Sequence, residues 1–176
     1  MISINFVFWL FVLLFGIIGM MRGWAKELLV TFSVILALAF NSLLMRYVPM
    51  FKELPPTELP LFWIRLTLVI SLVFFGYQTV GLSHFAAKVI REKLQDSLLG
   101  FVLGAVNGVM VVGTIWYYLI EANYPFPDYI TPPVPGTPMG DAAAQMLPWL
   151  APRLMGEPTI YFAVMICFIF VLIVFI

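Results

Sequence analysis

Apolar residues run in five long blocks along this chain, and its charges and prolines collect in the gaps between them. The blocks cover about residues 2–21, 28–44, 61–87, 97–120 and 159–176. Each approaches or exceeds the ~20 residues needed to cross ~30 Å of hydrocarbon. At such lengths only helices satisfy every backbone polar group within the segment. The pattern predicts an all-α integral membrane protein, a bundle of four core transmembrane helices plus a fifth at the C-terminus. The fifth block reaches the end of the sequence with no flanking charge. A full crossing and a shallow or partner-dependent placement both stay open for it.

The gaps differ in kind. The first, Met21 to Glu27, is too short for anything but a tight turn, so the first two helices form an antiparallel hairpin. The second holds Pro49, Pro55, Pro56 and Pro60, which cannot continue a helix. The third, His84 to Asp96, is basic and lacks proline. There His84, Lys88, Arg91, Glu92 and Gln95 share one helical face, as in an amphipathic helix along the cytoplasmic leaflet, although Lys93 falls on the apolar side. The alternative is the third helix protruding into water. The fourth gap runs from Glu121 to Pro158 with nine prolines. Within it, Met139 to Met155 is mostly apolar but broken by Pro148 and Pro152. It reads either as interfacial helical pieces with Trp149 at headgroup depth, or as an ordered external loop on the bundle. The organisation is thus a four-helix core over 1–120, a proline-rich extracytoplasmic loop over 121–158 and a C-terminal helix over 159–176.

Composition agrees with this pattern: 63% of the 176 residues are hydrophobic, 10% are charged, and the mean hydropathy is +1.06. A soluble domain carries about 25% charged residues. The formal net charge is zero, which offers no field for nucleic acid. No basic residue precedes the first block and no small-residue cleavage pattern follows it, so it reads as a retained crossing. Basic residues near helix ends set orientation. Gaps one and three carry Arg22, Lys26, Lys88, Arg91 and Lys93, against Arg46, Lys52 and Arg153 in gaps two and four; Arg65 narrows the margin. Gaps one and three are therefore expected in the cytoplasm of a multi-pass inner-membrane protein, with the N-terminus extracytoplasmic.

Chemistry-bearing residues are few. Asp96, Gly100, Gly104 and Gly108 recur every four residues and form a stripe on the fourth helix. Such glycines let a second backbone approach closely, and Asn107, near the same face, can hydrogen-bond across the contact. The competing reading is a pore lining or substrate groove. Asp96 also suits a helix cap. The first turn offers Gly19, Arg22, Gly23, Lys26 and Glu27. Its charges either mark the membrane interface or form a polar cluster at the cytoplasmic mouth, with an Arg22–Asp96 pairing within reach. Arg65 is expected to snorkel. Gln78 and Thr79 fall inside the third block, where Gln78 bonds a neighbouring helix or lines a polar path. No charge lies near the centre of a block, which argues against a proton-coupled transporter with an intramembrane carboxylate.

Enzyme signatures are absent from the sequence. His84 is the single histidine, so a zinc site of the HExxH kind is out, and no GxSxG, Walker A or GxGxxG pattern occurs. The lone Cys167 makes no internal disulfide. The expectation is a non-enzyme without cofactor or metal. Its partners are the lipid bilayer and either further copies of itself or another membrane protein.

Two motifs carry a family resemblance. The run from Gly19 through Arg22, Gly23 and Glu27, closing one apolar helix and opening the next, resembles the colicin V production protein (CvpA) family. The run Asp96, Gly100, Gly104, Asn107, Gly108 resembles that family's second signature. The resemblance covers roughly residues 1–120. Two positions depart from it: Asn5 stands where the family often has an acidic residue, and Asn107 where it often has arginine. The resemblance implies a four-crossing inner-membrane protein linked to colicin V-like toxin export or envelope homeostasis. A small channel or transporter subunit, with a path lined by Gln78, Asn107 and the glycine helix, is the alternative.

Overall fold

The computed structural model describes residues 3–78 and 93–175. Helix α1 spans Ile4–Arg22 and α2 spans Trp24–Tyr47, with Gly23 alone between them. A single turn follows as α3, Pro49–Lys52, with its proline at the first position, where the missing N–H costs no helical bond. Helix α4 spans Leu59–Tyr77 and α5 spans Lys93–Glu121. The expected amphipathic stretch from His84 to Glu92 lies outside the described residues.

These four long helices are each apolar and long enough to cross a membrane. After them come α6, Pro138–Met146, a 3-10 turn at Leu147–Trp149, α7, Ala151–Leu154, and α8, Thr159–Phe175. Pro138–Leu154 and Thr159–Phe170 are bent by 57° and make a fifth crossing if taken as one broken span. Alone, the 17 residues of α8 reach only about 25 Å at 1.5 Å per residue. The apolar stretch before it does form short helical pieces. Leu150 and Ala151 are buried on the bundle while Trp149 is exposed.

Contacts at the helix ends fix an alternating up-and-down arrangement. At one end the Trp24 N–H meets Asp96, and Arg22 donates to the Tyr77 carbonyl, so the turn between α1 and α2 sits beside the end of α4 and the start of α5. At the other end Asn5 donates to the Met139 carbonyl, Arg65 pairs with Glu121, and Arg46 pairs with Glu157.

Packing departs from a simple hairpin. Helix α1 makes its main contact with α5 rather than with α2, its neighbour in sequence. Helix α2 packs against α4, α5 and α8. Val30, Val34, Val69, Val73, Met110 and Val111 belong to the shared core of α2, α4 and α5. Phe8, Val12 and Trp116 form a second cluster between α1 and α5 that Ala143 and Leu150 close.

Helix α8 rests on α2 through Phe170 against Phe32, and buries Ile160 and Cys167. Glu157 holds its start in place by accepting from Ser42, Arg46 and Tyr161. Loss of the charge and of one of the two acceptor oxygens in Glu157→Gln should let α8 lift more often, which local opening of a peripheral element permits. Alkylation of Cys167 by a membrane-permeant maleimide should then quicken several-fold. An unchanged rate would show that Glu157 does not hold α8 down.

Candidate polar centre and glycine seam

Gly23 makes the centre by how it turns the chain. Its φ of +85° is a conformation that L side chains rarely adopt, and a Cβ there would lie 2.6 Å from the Asp96 carboxylate. The N–H groups at the start of α2 lack helical partners. Asp96 reaches across from α5 to accept from the Trp24 N–H at 3.1 Å. Asp96 thus caps the start of α2 from a different helix, and the expected Arg22–Asp96 pairing is not formed.

Arg22 instead turns inward. Its Nη1 donates to Glu27 Oε1 at 2.9 Å, its Nη2 donates to the Tyr77 carbonyl at 3.1 Å, and its guanidinium stacks 4.3 Å from the Tyr77 ring centre. Glu27 is fully buried. Asn107 Nδ2 donates to its second carboxylate oxygen and to its backbone carbonyl, both at 2.9 Å. The Thr31 hydroxyl donates to Asn107 Oδ1 at 2.7 Å. Four helices therefore meet at one carboxylate. Of the two readings of the turn's charges, a polar cluster is what Arg22 and Glu27 form, with Glu27 inside the bundle. Its burial is tolerable because the charge is paired and both oxygens are hydrogen-bonded.

The glycine stripe lies beside this centre. A Cβ on Gly19 would run into the Gly100 carbonyl, and one on Gly100 into the Gly19 carbonyl. A Cβ on Gly104 would strike the Phe15 carbonyl and lie 3.0 Å from the Gly19 Cα, and one on Gly108 would lie 2.9 Å from the Val12 Cα. The backbones of α1 and α5 occupy the space that side chains would fill. The stripe and the turn motif, separate in sequence, thus sit in one place: Gly19, Arg22, Gly23 and Glu27 against Asp96, Gly100, Gly104 and Asn107.

Gln78 follows Tyr77 at the end of α4. Its N–H caps α4 by donating to the Phe74 carbonyl, and its side chain is exposed. Thr79 lies outside the described residues.

Sequence reasoning missed the second charged pair. Arg65, expected to snorkel outward, is 8% exposed and donates to Glu121 at 2.5 Å. Both residues sit near helix ends on the same side of the bundle, and that shared depth was the available signal. Their pairing needed the packing of α4 on α5. An open groove of about 580 Å³ between α2 and α4, lined by Phe40, Trp63 and Leu68 among others, is mostly apolar, with the Trp63 indole and the Thr67 and Ser71 hydroxyls as the polar side-chain groups among its lining residues. It offers no evident chemistry.

Searches of curated proteins and of solved structures found no match. The family model described as colicin V production protein matches residues 4–131, which spans all four long helices and both motifs. This chain therefore belongs to the colicin V production protein family.

Proposed function

We propose that this protein is a non-enzymatic membrane component of colicin V-like toxin production or export, or of envelope homeostasis. It works from the cell inner membrane as a helical scaffold. Membership of the colicin V production protein family supports that process. The observation that carries the scaffold reading is the backbone-to-backbone seam of α1 on α5. A seam filled by α1 leaves no room for a solute groove between α1 and the glycine stripe. Its partners are further copies of the chain or another membrane protein. The lipid-facing surface has ample apolar area for either, with Phe74, Phe75, Ile166 and Phe168 all exposed.

The turn end, which holds Arg22, Lys26 and Lys93, is assigned to the cytoplasm by the excess of basic residues on that side. An impermeant thiol reagent should label Lys26→Cys only after the cells are opened. Crosslinking in native membranes, from photoreactive residues placed along the exposed faces of α4 and α8, tests the scaffold reading. A defined partner or a homo-oligomer is the expected product. Adducts to lipid alone from every position would overturn it.

A further inference from the structure

We propose that one face of α5 is a gated proton path, with the Arg22–Glu27 pair at one end and the Arg65–Glu121 pair at the other. This goes beyond the scaffold reading and concerns the side of α5 turned to α2 and α4, next to the glycine seam on α1.

Asn107, Thr114, Tyr118 and Glu121 are spaced seven, four and three residues apart. At 100° per residue they fall within about 60° of one another. Asn107 and Thr114 are fully buried and Tyr118 is 2% exposed. Asn107 is held by Glu27 and Thr31 and the Thr114 hydroxyl donates to the Met110 carbonyl, whereas the Tyr118 hydroxyl has no partner among the described residues. Buried polar and ionisable groups inside membrane bundles mark ion and proton pathways.

Each end of the face carries an ion pair. At the turn end Asn107 and Thr31 surround the buried Glu27, and Arg22 links it to the surface. At the loop end Arg65 binds Glu121 and its guanidinium lies 5.5 Å from the Tyr118 ring centre. The Tyr118 hydroxyl and Arg65 Nε are buried without a hydrogen-bond partner among the described residues. Buried polar groups nearly always have one, and two unmet groups in one neighbourhood mark a place suited to water.

The middle is closed. Asn107 and Thr114 are about 10 Å apart along the axis at 1.5 Å per residue. The turns between them present Met110 and Val111, both buried in the apolar core. Apolar constrictions gate by wetting. When this layer wets, a proton entering at the turn end binds Glu27 and loosens Arg22. It then passes along waters held by Thr31, Asn107, Thr114 and Tyr118, and leaves from Glu121. Each water or hydroxyl accepts one proton and gives one up, so the groups are restored and one H⁺ has moved.

The test uses the full chain in liposomes with an entrapped pH dye and a potassium diffusion potential. Val111→Ser, which makes the closed layer easier to wet, should raise proton uptake at least several-fold over protein-free vesicles and above the unsubstituted protein. Adding Thr114→Val or Tyr118→Phe to it should return uptake towards background. Thr114→Val exchanges a hydroxyl for a methyl group and Tyr118→Phe removes one, and unchanged helicity and elution would show that the fold is intact. No uptake in Val111→Ser, or uptake that neither second substitution lowers, would overturn the proposal. A crosslinked partner together with absent flux would leave the scaffold role standing and remove only the path.

Discussion

Gly104→Leu should leave little folded protein in the membrane. The new side chain would start against the Phe15 carbonyl and 3.0 Å from the Gly19 Cα. Both obstacles are backbone, so no rotamer change makes room. Overpacking a tight contact costs about 1–3 kcal/mol when side chains can shift, and here they cannot, so the loss lies at or above the top of that range. In membranes, close backbone packing is a main source of helix association. The seam therefore has no independent force to restore it. Gly113→Ala supplies the control, because its Cβ would meet only Leu150 at 3.3 Å and Phe8 at 3.7 Å, both side chains. Unfolding by added SDS in mixed micelles, followed by helicity, should show Gly104→Leu lost at far lower SDS than Gly113→Ala. Equal midpoints would mean that the seam does not hold the bundle.

Glu27→Ala is the second large effect, with an expected loss of about 3–5 kcal/mol. It strips the Arg22 guanidinium and the Asn107 amide of their acceptor inside the bundle. Arg22→Met alone should cost a comparable amount, because the fully buried carboxylate then stands without its cation. The pair Arg22→Met with Glu27→Gln should recover most of the loss. A neutral amide can still accept from Asn107, and a methionine can lie against Tyr77. The same SDS titration reads all three. A double substitution as damaging as the two single losses added together would sink the view that the charges matter to each other.

Hydrophobic length and glycine spacing already stated much of this protein. Apolar blocks of about 20 residues dictate membrane helices, because backbone polar groups have no other partner in hydrocarbon. Four of them are the long helices seen. The stripe at Gly100, Gly104 and Gly108 and the turn at Gly19 to Glu27 carried enough to suggest the family that the comparison then showed. These features are local, and local chemistry is what a sequence displays.

Which groups face one another is decided by helix packing, and two helices have many ways to be rotated about their axes. Nothing in the turn motif says that α1 leaves α2 and lies on α5, or that Asp96 caps a helix other than its own. Glu27 sits at a helix start, where a charge ordinarily meets water. Only the arrival of Tyr77 and Asn107 from α4 and α5 buries it. Arg65 likewise reads as a charge near an end until α5 brings Glu121 to it. The sequence by itself determined the membrane, the helices and their close-packing surfaces, because hydrophobic length and the absence of side chains act along one segment at a time. The tertiary structure decided the two charged centres and the polar face between them, because burial and pairing depend on where the other helices stand.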